Sequence, residues 1–138
     1  MTDSAWFAPP LSVLSQLSNP NLIVLYIGQE SRNGEAVQHL HFETQSANVD
    51  PSGLLQHLSA EEVYLDASSF LPVAITFNTH PDNDAGTDIP VKIDFSNYTR
   101  VNGAQIPFHV QKYLNGSLFL DLVIQSAVLN SGISQSAF

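Results

Sequence analysis

Apolar and polar residues alternate along most of the second half of the chain, and short turn signals divide the alternation into strands. Over residues 94–130, strand-like runs are separated by Asn102-Gly103 and Asn115-Gly116. Asn-Gly between alternating runs is a strong hairpin signal, because both residues tolerate the positive φ angles of a type I′ turn. The pattern predicts an antiparallel meander that begins near residue 62 and ends near residue 130.

Earlier segments of the chain show the same kind of pattern. Asn33-Gly34 is expected to join two strands into a hairpin over residues 21–43. Alternating apolar residues in 71–78 and 90–100 predict two further strands. Together with the meander, these segments predict a curved, mostly antiparallel sheet of about six strands.

Two short helices are predicted outside the sheet. Residues 1–20 are predicted to form a helical segment, in which Pro9-Pro10 suits a first turn and Leu14 belongs to a stripe of leucines. A second, short helix is expected in residues 50–60 after a turn that contains proline and glycine. We therefore predict a single α+β domain over residues 1–138, with one or two short helices covering the concave face of the sheet.

The final predicted strand is apolar on both sides. Its apolar residues are Leu118, Leu120, Leu122, Ile124 and Val128 on one side and Phe119 and Val123 on the other. An antiparallel strand with one solvated face would alternate instead. Burying each such side chain stabilises a protein by about 1.5–3 kcal/mol, whereas a row of them left exposed to solvent favours partner binding or aggregation. This surplus of apolar surface predicts that the sheet binds something apolar or a second copy of the chain.

Composition narrows the classes of partner. Charged residues make up 12% of the chain, and its net charge is −9. A charge of this sign repels phosphate backbones and anionic headgroups, so nucleic acid is not an expected partner. The absence of cysteine excludes disulfides and thiolate sites. No apolar stretch reaches the roughly 20 residues of a membrane span, so an integral membrane protein is not expected. The first residues do not resemble a signal peptide.

One strand carries three potential metal ligands. His39, His41 and Glu43 point to the same side of the second predicted strand. A His-x-His pair in a strand can bind zinc or iron, which would suit a small enzyme, but a solvated polar face has the same pattern. The spacing of a cupin-like site is absent, so no metal site is predicted here.

The polar loop after residue 80 is a second weak candidate for a metal. Asp82, Asp84 and Asp88 with a glycine at the bend resemble part of a calcium loop. The closing glutamate of an EF-hand loop is missing, and turn chemistry accounts for the same residues. No nucleophile elbow or Gly-rich phosphate loop occurs in the sequence, so neither catalysis nor a cofactor is predicted.

Residues 62–138 contain a series of short motifs: Val63-Tyr64-Leu65-Asp66, Leu71-Pro72-Val73, the run from Phe95 to Gly103, Ile106-Pro107-Phe108, Asn115-Gly116, and the closing Asn130, Ile133 and Phe138. Together these motifs resemble the LolA-like superfamily of bacterial outer-membrane lipoprotein-sorting proteins, which includes LolB- and RseB-type domains. The resemblance covers about half of the chain.

The resemblance implies an incomplete antiparallel barrel whose apolar interior holds acyl chains or a lipidated partner in the periplasm or cell envelope. The implied function is non-catalytic binding or carriage of a lipid, a lipoprotein or another apolar ligand. The side chains expected to line the cavity are Leu14, Leu55, Phe77, Phe95, Phe108, Leu120, Leu122 and Ile124.

The sequence departs from the family in its N-terminal half, where only one hairpin and a short helix precede residue 62. A cavity could therefore be smaller, completed by a second copy, or lost. The alternative to a carrier is a structural or interaction module whose apolar sheet face is buried in a homodimer.

Overall fold

The computed structural model describes residues 17–45, 50–129 and 132. Their elements are β1 (Leu22–Arg32), β2 (Glu35–Thr44), α1 (Leu54–Ser59), β3 (Glu61–Asp66), β4 (Pro72–Thr79), β5 (Ile89–Val101), β6 (Ala104–Leu114) and β7 (Ser117–Val123). The seven strands form one sheet in chain order, and every neighbouring pair is antiparallel. The predicted antiparallel sheet is confirmed, with seven strands instead of about six. The predicted N-terminal helix, including Leu14, lies outside the described residues.

The three Asn-Gly turns are confirmed as the connections of the hairpins β1–β2, β5–β6 and β6–β7. The three asparagines have φ angles between 48° and 54°, and the three glycines have φ angles between 77° and 90°. Positive φ at both central residues defines the type I′ turn, whose twist matches that of the flanking strands. Because each turn joins adjacent strands, these hairpins determine three of the six neighbouring strand pairs.

Most of the apolar core lies on one side of the sheet, which we call the core face. Its buried cluster consists of Phe42, Val63, Ile75, Val91, Ile93, Phe95 and Val110. Cross-strand pairing explains the grouping, since Ile75 lies opposite Val63 on one side and Ile93 on the other. A smaller cluster of Val37, Tyr64 and Ala74 lies on the opposite face.

The final strand is shorter than predicted. β7 ends at Val123, and the expected continuation to Val128 is wrong. The Ile124 amide still donates to the Phe108 carbonyl at 2.8 Å, but regular pairing stops there. Polar Gln125 and Ser126 interrupt the apolar alternation, so further pairing would bury little apolar surface.

A half-buried tyrosine, Tyr98, links β5 to the start of β4. The Tyr98 hydroxyl donates to the Pro72 carbonyl at 2.6 Å, and burial raises the pKa of this hydroxyl, so it remains a donor. Tyr98→Phe should lower the free energy of unfolding by about 1 kcal/mol in urea denaturation, because a partly buried carbonyl loses its partner. Tyr26→Phe is the control, since its hydroxyl donates to Gln38 in solvent and its loss should have little effect. Equal losses in the two variants would contradict this role for Tyr98.

Candidate functional site

A cleft of about 630 Å³ opens at one end of the core face, beside α1. Its apolar lining consists of Leu22, Leu58, Phe77, Val91, Leu114 and Phe119. A neighbouring hollow of about 620 Å³ shares Phe77 and Val91 with it. We call the larger space the end cleft. Its volume falls within the range of small-molecule binding sites, which are mostly apolar with a few polar groups.

Strand register places the floor of the end cleft. Phe77 in β4 lies opposite Val91 in β5, and Val91 lies opposite Leu114 in β6. Directly opposed residues point to the same face of a sheet, so these three side chains form a row across three strands. The row lies where β4 and β6 end and β5 begins, so the sheet does not continue beyond it.

A register shift places the aromatic wall of the end cleft. Lys112 pairs with Leu120 but Tyr113 pairs with Leu118, so β7 contains one extra residue, Phe119. Such a bulge redirects the side chains of the bulged strand. Phe119, which alternation had placed on the other side of the strand from Leu120, therefore lines the cleft together with Leu114.

Helix α1 is held beside the cleft by polar contacts. Asp50 accepts hydrogen bonds from the backbone amides of Ser52, at 3.1 Å, and Leu55, which satisfies donors near the start of the helix. Ser59 accepts a hydrogen bond from the Thr44 amide at 2.7 Å and so links the end of α1 to β2. The helix has no buried residue, so these bonds rather than a packed face determine its position.

Polar residues also line the end cleft, and one of them, Glu61, is buried and continues the row of Phe77, Val91 and Leu114 onto β3. The other lining residues, which we call the margin of the cleft, are Asn19, Thr44, Ser59, Ala60, Asn78, Thr79, His80 and Lys112. Apolar side chains beside polar groups suit a ligand that has an apolar body and a polar end.

The side chains predicted to line a cavity are distributed over the sheet. Phe77 lies in the end cleft, whereas Phe95 is buried in the core cluster. Leu122 packs against that cluster, and Leu120 lies half-buried opposite Lys112. Phe108 and Ile124 are half-buried towards the other end of β6.

Two predicted lining residues belong to helical segments. Leu55 is an exposed residue of α1 and is not among the residues that line the end cleft, while Leu14 lies outside the described residues. The lining role of the predicted set stays a prediction. Sequence reasoning missed Leu22, Leu58, Val91, Leu114 and Phe119. Alternation marked Val91 as facing inwards, but no local signal marks the end of the sheet at which the cleft opens.

The three potential ligands of β2 do share one face, where they form a network with Glu62 of β3. Glu62 Oε2 lies 2.8 Å from His39 Nε2, and Glu62 Oε1 lies 2.8 Å from His41 Nδ1. The other ring nitrogen of His41 lies 3.1 Å from Glu43 Oε2. Both ring nitrogens of His41 therefore form hydrogen bonds with carboxylates, as expected in a hydrogen-bonded polar network.

This network changes the ionisation of its members. Burial by itself lowers the pKa of His41, but hydrogen bonds with Glu62 and Glu43 and their negative charges outweigh it, so the pKa is raised above its ordinary value. Hydrogen bonds from Gln56 and then His41 lower the pKa of Glu43. His41 and Glu43 thus both favour their charged forms.

In the polar loop between β4 and β5, Asp84 is engaged in its own turn. Its carboxylate accepts hydrogen bonds from the Gly86 amide at 3.0 Å and the Thr87 hydroxyl at 2.6 Å, and these bonds lower its pKa. Asp88 instead faces His80 and His57. The loop aspartates therefore have different partners.

A crystal structure from Vibrio parahaemolyticus, described as a "putative outer membrane lipoprotein-sorting protein domain", superimposes on 84% of this chain with a TM-score of 0.60. The two proteins share a fold. Their sequences are 14% identical, and the match covers 45% of the Vibrio chain, so the present chain spans less than half of its length. The resemblance to lipoprotein-sorting proteins is confirmed at the level of fold, and it extends beyond residues 62–138.

No protein-family model matches the sequence, and comparison with curated proteins gave no match. Among the described residues, no helix has the length and apolar character needed to cross a membrane.

Proposed function

We propose that this protein binds an apolar ligand, such as the acyl chain of a lipid or of a lipidated protein, in the end cleft. The observation that carries the proposal is the apolar floor of a cleft of about 630 Å³. Binding in a cleft with such a floor is favourable because it removes apolar surface of the ligand from water. Its polar margin would orient the hydrated end of the ligand.

The shared fold supports a carrier-like role. The Vibrio chain is described as a "putative outer membrane lipoprotein-sorting protein domain", and 84% of the present chain superimposes on it. A location in the bacterial envelope is part of the proposal. Because less than half of the Vibrio chain is matched, carriage between membranes is proposed here only as an extension of ligand binding.

The proposed binding is non-catalytic. Ser59, a hydroxyl-bearing residue of the cleft margin, accepts from the Thr44 amide and donates to the Gln56 carbonyl at 3.3 Å. Its hydroxyl therefore has a structural role in holding α1. A serine nucleophile would instead require a hydrogen bond to a base.

Replacing Phe119 by aspartate tests the end cleft. Phe119→Asp should weaken binding of a fluorescent fatty acid at least about tenfold, because it removes apolar contact area and places a charge at the cleft. Val123→Asp is the matched control: the two side chains are 69% and 66% exposed in the same strand, but only Phe119 lines the cleft. The control should bind within about twofold of the unchanged protein, as expected for a surface substitution. Equal weakening in both variants, or no binding of acyl probes by the unchanged protein, would refute the proposal.

A specific observation also favours the alternative, an interaction module. Both strands at the edges of the sheet carry exposed apolar side chains: Val24, Leu25, Tyr26 and Ile27 in β1, and Leu118, Phe119 and Val123 in β7. Unpaired edges of this kind are templates for pairing with another chain. Sedimentation analysis over a range of protein concentrations tests this alternative. A dimer that dissociates when Ile27 is replaced by lysine would support an interaction module. A monomer at every concentration would reject it.

A further inference from the structure

Three potential metal ligands from separate segments meet at the margin of the end cleft. His57 lies in α1, His80 directly follows β4 and Asp88 directly precedes β5. Asp88 Oδ1 lies 3.1 Å from His57 Nε2 and 2.9 Å from His80 Nε2. Among the described residues, this is the group of three whose potential ligand atoms all lie within 4.8 Å of one another.

These distances fit a small divalent ion. Zinc binds imidazole nitrogen and carboxylate oxygen at about 2.0–2.2 Å, so neighbouring ligands of a tetrahedral zinc ion lie about 3.3 Å apart. The two separations from Asp88 need to lengthen by only a few tenths of an ångström. The potential ligand atoms of all three side chains already lie within 4.8 Å of one another, so no side chain has to be brought from a distant position.

The donor set indicates the class of metal. Two imidazoles with one carboxylate suit zinc and neighbouring first-row transition metals, whereas calcium and magnesium prefer oxygen ligands throughout. Three protein ligands leave a fourth position open. The net charge of −9 also raises the local concentration of cations.

The three side chains are partly fixed in place and remain accessible to an ion. The His80 side chain is only 10% exposed, while those of His57 and Asp88 are each 43% exposed. The loop before Asp88 is held by the hydrogen bonds of Asp84. His80 is thus largely shielded from solvent and Asp88 is attached to an ordered loop, and an ion can still enter from solvent.

We propose that His57, His80 and Asp88 bind a divalent transition-metal ion such as Zn²⁺, and that the ion fixes α1 to the β4–β5 loop. A six-residue helix with no buried residue is marginal by itself. Because the ion would bind the ordered arrangement more tightly than the frayed one, its binding would stabilise the helix. Leu58 follows His57 and lines the end cleft, so the ion would also hold one wall of that cleft.

The experiment is a metal titration of the full chain without an affinity tag, after treatment with a chelator. Titration calorimetry with Zn²⁺, and absorption spectroscopy with Co²⁺, should show one ion per chain. His80→Ala and Asp88→Asn should each weaken Zn²⁺ binding at least about tenfold, because removing even outer-shell partners has effects of this size. His109→Ala is the matched control: His109 lies 2.6 Å from Asp121 in a comparable imidazole–carboxylate pair, which belongs to no such group of three among the described residues.

Asp88→Asn changes few atoms and keeps the test decisive if His80→Ala fails to fold. Absence of stoichiometric Zn²⁺ binding would overturn the proposal. So would a loss of binding in His41→Gln with no loss in His80→Ala, because the ion would then lie on the opposite face of the sheet.

Hydrogen exchange tests the structural consequence separately from acyl-chain binding. Zn²⁺ should slow exchange of the amides of residues 54–59 in the unchanged protein but not in Asp88→Asn. Unchanged exchange on saturation would overturn the proposed fixing of α1. Neither readout requires an acyl ligand, so failure of the ligand proposal would leave this result interpretable.

Discussion

Ile75→Ala is expected to lower the free energy of unfolding by about 2–5 kcal/mol, a large part of the total stability of a typical domain. Ile75 is fully buried in β4, and its opposite neighbours Val63 and Ile93 are buried as well. The surrounding strands hold these neighbours in register and limit collapse into the vacated space. Urea denaturation followed by circular dichroism measures the change.

Ile27→Ala is the matched control for this core prediction. It makes the same chemical change at a position of β1 that is 57% exposed, beside a register shift at the edge of the sheet. The expected change is within about 0.5 kcal/mol, as for most surface substitutions. If the losses for Ile75→Ala and Ile27→Ala were equal, the assigned centre of the core would be wrong.

Glu62→Gln is expected to lower the free energy of unfolding by about 1–2 kcal/mol near pH 6. Glu62 joins His39 and His41 through two contacts of 2.8 Å. Hydrogen bonds to charged groups contribute about 1.5–3 kcal/mol each when well buried. The sum is discounted because the Glu62 side chain is 34% exposed and solvent screens its charge.

The effect of Glu62→Gln should depend on pH. The pKa of His41 is raised above 6.5 in the folded protein, so its stabilisation is complete below about pH 6.5 and is lost as the pH rises through the folded pKa. The pKa of Glu43 is lowered from 4.5, so its stabilisation is present above about pH 4.5 and is lost as the pH falls through the folded pKa. The network should therefore be strongest between these two limits.

Urea denaturation of both proteins at several pH values from about 5 to 8 checks this expectation. The difference in unfolding free energy between the unchanged protein and Glu62→Gln should shrink towards the alkaline end, as His41 loses its proton in both. Glu30→Gln is the control, because its more exposed carboxylate lies 3.6 Å from His39 Nδ1 and should matter less. A difference that is constant or grows with rising pH would contradict the assigned role of His41.

The two proposed sites lie side by side, yet they are tested independently. His80 belongs both to the margin of the end cleft and to the candidate metal group. Phe119 also lines the end cleft but is not one of the three candidate ligands, so Phe119→Asp leaves all of them in place and should weaken acyl binding without weakening Zn²⁺ binding. Loss of both kinds of binding in Phe119→Asp would indicate a change in overall folding, whereas His80→Ala can weaken both directly because His80 belongs to both sites.

The local features of the sheet could be predicted from the order of the amino acids alone. Asn33-Gly34, Asn102-Gly103 and Asn115-Gly116 predicted their hairpins because positive φ angles are a property of those residues alone. Alternation likewise placed Ile75, Ile93 and Val110 on one face, because the period of a strand is two residues. Once adjacent strands were joined by tight turns, an antiparallel order followed.

Which side chains meet at a site depends on pairing and register across the whole sheet. The extra residue in β7 brings Phe119 to the end cleft, and strand pairing brings Glu62 between His39 and His41. Asp88 meets His57 although the two residues lie 31 positions apart in the chain. Register shifts, the position of α1 and the end of β7 depend on many contacts between residues that are far apart in the chain. A local pattern of residues therefore cannot predict them.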